Sequence, residues 1–188
     1  MKRSGLENTL IIGGARSGKS SFAQELARKS GEPVLFVATA EAGDEEMKRR
    51  IEEHKRARPP AWNTLEVTSH IGSRIAQEIG EARVVIVDCI TLLVSNVFSQ
   101  CSPSGKKIDA AIVEKKVLAE IKELIECINY VDAAFIIVTN EIGLGVVPAN
   151  KTGRIYRDLL GKVNQILAEH VDRVYLMVAG LPVSIKSA

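Results

Sequence analysis

Five short apolar runs, separated by longer stretches with helical periodicity, constrain the fold of this 188-residue chain most strongly. Each run is continuously apolar and rich in β-branched residues, which is typical of strands covered on both faces. Strands that alternate with helices indicate an α/β fold with a mainly parallel sheet. The runs are TLIIG (9–13), PVLFVAT (33–39), RVVIVD (83–88), AAFIIVTN (133–140) and RVYLMVAG (173–180).

The segments between these runs complete the predicted order of elements. Helical patterns cover residues 19–30, 45–57, about 71–79, about 91–99, 108–129 and 152–170. The run LPVSIK, after a turn at Gly180, could add an antiparallel edge strand, and residues 99–107 resemble an exposed loop. Because no repeat or linker interrupts the pattern, residues 1–188 are expected to form a single domain.

Composition excludes several classes of protein. The chain has 25 basic and 23 acidic residues, and this balanced charge does not suggest a nucleic-acid or acidic-membrane partner. No apolar run approaches the roughly 18 residues of a membrane-spanning helix, and the first residues do not resemble a signal peptide. The three widely spaced cysteines give neither a zinc pattern nor a disulfide framework. We therefore expect a cytoplasmic protein.

The stretch GGARSGKS matches the phosphate-loop pattern G-x-x-x-x-G-K-[ST] between a strand and a helix. In such a loop the backbone N–H groups and the helix N-terminus face phosphate oxygens. Lys19 would reach the β- and γ-phosphates, and the Ser20 hydroxyl would be a ligand of Mg²⁺. The predicted nucleotide contacts are Gly13, Gly14, Ala15, Arg16, Ser17, Gly18, Lys19 and Ser20.

Asp88 ends the third apolar run, where a strand-end carboxylate can bind Mg²⁺ directly or through water. A structural alternative is that Asp88 caps the next helix. Beside a phosphate loop we favour the metal ligand. The phosphate loop together with Asp88 predicts a P-loop NTPase-like protein that binds a nucleoside triphosphate and Mg²⁺. These two features do not indicate which reaction the protein catalyses.

His54 lies in the segment RRIEEHKRARPPAW and shares one predicted helix face with Met47 and Ile51. This segment alone allows two interpretations of His54. It could be a structural histidine that points inward and makes an ordinary hydrogen bond, or it could be a catalytic nucleophile. Neutral imidazole is a good nucleophile near pH 7, and nearby cations would offset charge on a phosphoryl group. The other two histidines, His70 and His170, are expected at the surface.

The motifs in their order resemble a known family. GGARSGKS, VATA, RIEEHKRARPPAW, DCITLLVSN, VTNEIGLGVVP and GRIYRDLLGKVNQ follow one another as in the bifunctional adenosylcobinamide kinase / adenosylcobinamide-phosphate guanylyltransferase of adenosylcobalamin biosynthesis. The H-K-x-x-R-P and N-E-x-G-x-G-x-V-P elements are more specific than a phosphate loop. The resemblance covers the chain from the first strand to the end, except the 99–107 loop and the helix after it.

The resemblance implies a RecA-like P-loop fold, a homotrimer and two reactions. ATP or GTP phosphorylates adenosylcobinamide, and GMP is then transferred from GTP to the new phosphate through a guanylyl-histidine, which corresponds to His54. Some members have Glu at the position of Asp88. Further nucleotide contacts implied by the resemblance are Ala38, Thr39, Ala40, Lys55, Arg56, Ala57, Arg58, Glu66 and Asp88.

Other interpretations remain open on the residues alone. A small-molecule P-loop kinase would use only γ-phosphoryl transfer, and a nucleotide-dependent regulator would turn GTP over slowly. TNEIGLGVVPAN follows the fourth long run and is interpreted either as a structural turn or as a wall of the corrinoid or nucleotide pocket. Arg154, Arg157 and Asn164 are weaker candidates that a solvated helix face would equally explain.

Overall fold

The computed structural model describes residues 7–41, 45–56, 58–101 and 108–187, which form a seven-stranded sheet with helices packed on it. The strands are β1 (Thr9–Gly13), β2 (Val34–Ala38), β3 (Asn63–Glu66), β4 (Val84–Asp88), β5 (Ala134–Val138), β6 (Arg173–Val178) and β7 (Leu181–Lys186). The described helices are α1 (Lys19–Ser30), α2 (Glu45–Arg56), α3 (Ile71–Glu78), α4 (Ile90–Cys101), α5 (Ala110–Tyr130) and α6 (Lys151–His170).

The strand order is β3-β2-β4-β5-β1-β6-β7. All neighbouring strands are parallel except β6 and β7, which form an antiparallel pair at one edge. The prediction of a mainly parallel sheet with an antiparallel C-terminal strand is thus confirmed. Strand β5 separates β1, which leads into the phosphate loop, from β4, which ends at Asp88. The carboxyl ends of these three strands therefore lie side by side.

Two apolar cores cover the sheet. Leu10 and Val85 belong to the larger core, which also contains buried residues of α3, α4, α5 and α6. Ile11 and Ile86 belong to the smaller core together with Ala23 of α1. Adjacent residues of one strand point to opposite faces, so both faces of each central strand need apolar side chains. This explains the continuously apolar runs in the sequence.

The structure corrects the sequence prediction at two places. Strand β3 was not predicted, because only Leu65 of its four residues is buried and the strand forms an edge of the sheet. Residues 99–101 continue helix α4 rather than starting a loop, while the rest of the predicted loop, 102–107, lies outside the described residues. The side chains of Met47 and His54 also lie outside them, so the apolar face predicted for α2 stays a prediction.

Polar caps set the beginnings of the two longest helices. The Asp109 carboxylate accepts hydrogen bonds from the N–H groups of Ala111 and Ile112, and α5 starts immediately after it. The Asn150 side chain accepts from the Gly153 N–H at 2.6 Å and starts α6 in the same way. Among the described residues, no helix is both long and apolar enough to cross a membrane.

Candidate active site

The loop between β1 and α1 needs glycine at two positions. Gly13 has a φ of 153° and Gly18 a φ of 93°. A Cβ on Gly13 would lie 2.6 Å from the Met177 carbonyl oxygen, and one on Gly18 would lie 3.1 Å from the Cα of Gly180. The Gly180 N–H also donates to the Ser17 carbonyl at 3.0 Å. The phosphate loop therefore packs closely against the turn between β6 and β7, which fixes its shape.

Lys19 is buried at the start of α1, and its Nζ donates to the Gly14 carbonyl at 2.6 Å. Burial lowers the pKa of Lys19, whereas Cys89 and Asp88 act in the opposite direction. Ser17 Oγ is also buried and has no hydrogen-bond partner among the described residues. A poorly hydrated ammonium and a spare hydroxyl inside one loop are suited to a phosphate ligand.

Asp88 and Arg58 meet next to the phosphate loop. Asp88 ends β4 and is in register with Ala38 at the end of β2. The Arg58 guanidinium carbon lies 3.9 Å from the centroid of the Phe36 ring, and its Nε is buried without a partner among the described residues. Burial lowers the pKa of Arg58, whereas the carboxylates of Asp88 and Glu66 raise it. Arg58 is thus a fixed cation with a free donor.

The end of α2 contacts the end of β3 through Lys55, which forms an ion pair with Glu66. Arg56 differs from its neighbours, since its side chain is 81% exposed and its Nη2 lies 3.6 Å from a Glu52 carboxylate oxygen. Ala57 lies outside the described residues. Of the cations in the H-K-x-x-R-P element, Lys55 and Arg58 are therefore the two that face other candidate residues.

Thr39 is fully buried and bonds within the protein. Its N–H donates to the Asp88 carbonyl at 3.2 Å, and its hydroxyl accepts from the Cys89 N–H at 2.8 Å and donates to the Cys89 carbonyl at 2.7 Å. The Asn96 side chain donates to the carbonyls of Thr39 and Thr68 at 2.9 and 3.3 Å. Thr39 therefore fixes the backbone around Asp88, and its predicted contact with the nucleotide stays a prediction.

An open cavity of about 480 Å³ lies beside the ends of β2 and β3. Its lining comprises Ala40, Glu41, Glu66, Val67, Thr68, Ser69, His70 and Arg74. The His70 side chain is 74% exposed, as predicted, while the backbone N–H of His70 donates to the Glu120 carboxylate at 2.7 Å. The sequence analysis missed the residues after Glu66 because β3, which brings them here, has almost no apolar pattern.

The segment after β5 is joined to both neighbouring strand ends. The Asn140 N–H donates to Thr91 Oγ1 at 2.8 Å, and the Glu141 N–H donates to the Gly13 carbonyl at 3.0 Å. Asn164 is buried on α6 and donates to the Asn140 carbonyl at 3.0 Å. The interpretation of Asn164 as part of a solvated helix face is therefore wrong, because its amide holds this segment in place.

Arg154 and Arg157 have structural contacts. Arg154 Nη1 donates to the carbonyls of Pro148 and Ala149 at 3.0 and 2.7 Å. Arg157 pairs with the carboxylate of its neighbour Asp158 at 3.4 Å. Neither contact points to a ligand.

The residues available for a metal suit Mg²⁺ bound together with a nucleotide. In the described ranges, no group of three or more histidine, cysteine or acidic residues could hold a metal ion. The Ser20 hydroxyl and the Asp88 carboxylate supply the hard oxygen ligands that Mg²⁺ prefers. Mg²⁺ usually takes one or two protein oxygens and completes its shell with substrate phosphates and water. The protein donors thus fit a metal that arrives with the triphosphate.

Comparison with known proteins shows the family of the chain. The sequence model of the family described as cobinamide kinase / cobinamide phosphate guanyltransferase matches residues 9–185. The chain belongs to this family. It is 42% identical over 177 residues to the bifunctional adenosylcobalamin biosynthesis protein CobP of Pseudomonas aeruginosa, covering 94% of this chain and 96% of that protein. It is 38% identical over 179 residues to CobU of Escherichia coli K12, covering 94% and 98%. The enzyme class predicted from the sequence is confirmed.

Solved structures share the fold at much lower identity. A Pyrococcus horikoshii OT3 protein has a TM-score of 0.55 at 11% identity, covering 96% of this chain and 86% of that one. The RadB recombinase has a TM-score of 0.51 at 14% identity, covering 92% and 76%. These similarities confirm the RecA-like P-loop architecture.

Proposed function

We propose that this chain catalyses both reactions of its family at the carboxyl edge of its sheet. It phosphorylates the aminopropanol hydroxyl of adenosylcobinamide with ATP or GTP, and then transfers GMP from GTP to the new phosphate. One observation carries this proposal. The phosphate loop, Asp88 and the cations Lys55 and Arg58 of the H-K-x-x-R-P element lie at neighbouring strand ends.

In the kinase step, the substrate hydroxyl oxygen bonds to the γ-phosphorus while the bond to the β–γ bridging oxygen breaks. ADP or GDP leaves, and the hydroxyl proton passes to water. Lys19 and the N–H groups of the loop bind the phosphate oxygens and stabilise the charge that develops on them. Mg²⁺, bound by Ser20 and Asp88 with the nucleotide, would supply further charge neutralisation.

In the guanylyl step, an imidazole nitrogen of His54 bonds to the α-phosphorus of GTP and pyrophosphate leaves. A phosphate oxygen of adenosylcobinamide phosphate then attacks the same phosphorus, and the P–N bond breaks. The products are adenosylcobinamide-GDP and free His54. Lys55 and Arg58, one and four positions after His54, would offset the charge on the phosphoryl oxygens.

The histidine intermediate can be tested by labelling. Wild-type protein incubated with α-labelled GTP and Mg²⁺, then denatured, should retain labelled GMP, whereas γ-labelled GTP should leave none. The label should survive alkali and be lost in mild acid, because protonation of a phosphoramidate nitrogen makes it a good leaving group. His54→Asn should take no label and should lose guanylyl transfer, yet it should still phosphorylate adenosylcobinamide and accumulate the phosphate.

His170→Asn is the matched control. His170 is an exposed histidine at the end of α6, just before the amino end of β6 and thus on the side of the sheet opposite the phosphate loop. This variant should label like wild type. Persistent labelling of His54→Asn would place the nucleophile elsewhere, with His70 the next candidate. A label that is stable in acid and labile in base would indicate an acyl phosphate and refute the histidine mechanism. A protein without any α-label would be a kinase or regulator only.

We also propose an assembly and a compartment. The family resemblance supports a homotrimer, which sedimentation equilibrium would test. The three cysteines are free, which supports a cytoplasmic location, where thiols stay reduced.

A further inference from the structure

The kinase step needs a surface for its second substrate, and the loop between β5 and α6 has the required chemistry. Adenosylcobinamide is a large macrocycle with methyl groups and amide side chains around its ring and the adenosyl ligand on one face, so the ring and its methyl groups would match an apolar surface near the γ-phosphate. In this loop, residues 139–150, the side chains of Leu144, Val146 and Val147 are 85%, 95% and 57% exposed. They form a short apolar segment, Leu144–Val147, which we call the apolar wall.

The position of the loop connects the apolar wall to the phosphate site. Strand β5 lies between β4 and β1, so the loop leaves the sheet between Asp88 and the phosphate loop. The Glu141 N–H donates to the Gly13 carbonyl at 3.0 Å, at the first glycine of the phosphate loop. A substrate that rests on the apolar wall would therefore lie beside the phosphate loop, with its hydroxyl arm on the side of the γ-phosphate.

Hydrogen bonds hold both ends of the loop. At its start, Asn140 is bonded through its N–H to Thr91 and through its carbonyl to Asn164. At its end, Arg154 donates to the carbonyls of Pro148 and Ala149. Anchoring at both ends limits the conformations open to the residues between them, which lowers the entropy that a ligand bound there would have to remove.

We propose that the apolar wall is the docking surface for the corrin macrocycle of adenosylcobinamide. The side of the ring away from the adenosyl ligand rests on Leu144, Val146 and Val147, and the aminopropanol arm reaches toward the nucleotide on the phosphate loop. The inference rests on the proposed kinase function, because that reaction brings a corrinoid to this edge. It assigns a substrate-binding role to side chains that are mostly exposed in the folded chain.

Steady-state kinase assays on Leu144→Ser/Val146→Ser test the proposal. Both side chains are so exposed that the variant should fold with a melting temperature close to that of wild type. Removing this apolar contact should raise the KM for adenosylcobinamide roughly tenfold or more, with little change in the KM for the nucleotide. The conservative variant Leu144→Met/Val146→Ile should keep the wild-type KM, because the wall stays apolar.

Tyr130→Ser is the matched control, since Tyr130 is 86% exposed at the end of α5. It lies near the amino end of β5, on the side of the sheet opposite the phosphate loop. This substitution should not change the corrinoid KM. Labelling of the protein by α-labelled GTP needs no corrinoid. It therefore distinguishes a failure of the proposed docking surface from a failure of the proposed function. If wild type phosphorylates adenosylcobinamide and the serine variant has an unchanged corrinoid KM, the apolar wall is not the docking surface. If the serine variant instead loses the wild-type oligomer at unchanged KM, the wall is a subunit contact and the proposal is overturned.

Discussion

Lys19 and Arg58 show how single cations are prepared for a triphosphate. Burial lowers the pKa of both side chains, and Asp88 acts in the opposite direction on both. Their charges have already lost part of their hydration when the chain folds, so a phosphate that binds them displaces little further water. Such preorganisation is a major source of stabilisation in phosphoryl transfer. We therefore expect these two charges to contribute to phosphate binding more than to the stability of the protein itself.

The cysteines should differ strongly in reactivity. Burial, and next the charge of Asp88, raise the pKa of Cys89 to about 12, while burial and Glu123 raise that of Cys127 to about 11. Cys101 is half-buried like Cys89, whereas Cys127 is buried, so the low reactivity expected of Cys89 rests on the raised pKa of its thiol. At pH 8.5, iodoacetamide should therefore modify Cys101 of the native protein first, because the other two remain thiols. Peptide mass spectrometry before and after denaturation would measure this, and equal rates at all three sites would contradict it.

The same shifts predict a change of stability with pH. Unfolded thiols lose their protons near the ordinary pKa of 9.0, whereas Cys89 and Cys127 keep theirs in the folded state up to about 11 or 12. Between these values the folded state binds more protons, so the free energy of unfolding falls as the pH rises above about 9. Urea unfolding at pH 8 and pH 10 should show the fall. Cys89→Ser/Cys127→Ser should show less of it.

Helices α3 and α5 approach each other so closely that one position requires glycine. A Cβ on Gly72 would lie 2.3 Å from the Glu123 carbonyl oxygen and 2.9 Å from the Leu124 nitrogen. Both are backbone atoms, so the helices themselves would have to separate. We expect Gly72→Ala to lower the free energy of unfolding by about 3 kcal/mol, measured by urea unfolding.

Gly161→Ala in α6 is the matched substitution. A Cβ there meets no atom within 4 Å, so alanine should raise the free energy of unfolding by roughly 0.5–1 kcal/mol. Equal effects of the two substitutions would show that α3 and α5 can separate without loss of stability.

Most elements were predictable because each central strand and each helix has its own local signal. Continuous apolar runs gave β1, β2, β4, β5 and β6, and helical spacing gave the six described helices within about two residues at most ends. β3 had no such signal, since Asn63, Thr64 and Glu66 are exposed. The order of strands was not predictable either, because it depends on pairing between residues far apart in the chain.

The residues of the site were predictable where a sequence motif specifies them. The contacts between residues that are far apart in the chain were not predictable. The phosphate loop and Asp88 lie together as the motifs indicate, and Lys55 contacts Glu66. The nucleotide contact that the resemblance implies for Thr39 stays a prediction, and no motif indicates that its hydroxyl is bonded to the Cys89 backbone. Asn96 was not singled out at all, because a single asparagine on an apolar helix gives no sign that its amide joins two strand ends.

Across the whole molecule, hydrogen bonds between separate segments join the strand ends into one site. Thr39 joins the ends of β2 and β4, and Asn96 adds the segment after β3. Glu141 joins the end of β5 to Gly13 of β1. The nucleotide-binding edge is therefore a connected unit, and a change of charge at its centre should affect both reactions.

Asp88→Asn tests this connection, because the variant keeps the shape of the side chain and removes its charge. We expect kinase and guanylyl transfer each to fall by about 10²-fold or more, since each uses a metal-bound triphosphate in the proposed mechanism. The rise in melting temperature that GTP and Mg²⁺ produce in wild type should shrink as well. Asp109→Asn is the matched control, because asparagine caps a helix as well as aspartate does, and both activities should remain. If Asp88→Asn melts at a lower temperature but turns over at the wild-type rate, Asp88 has only a structural role. If one reaction survives and the other is lost, the two reactions do not share this carboxylate.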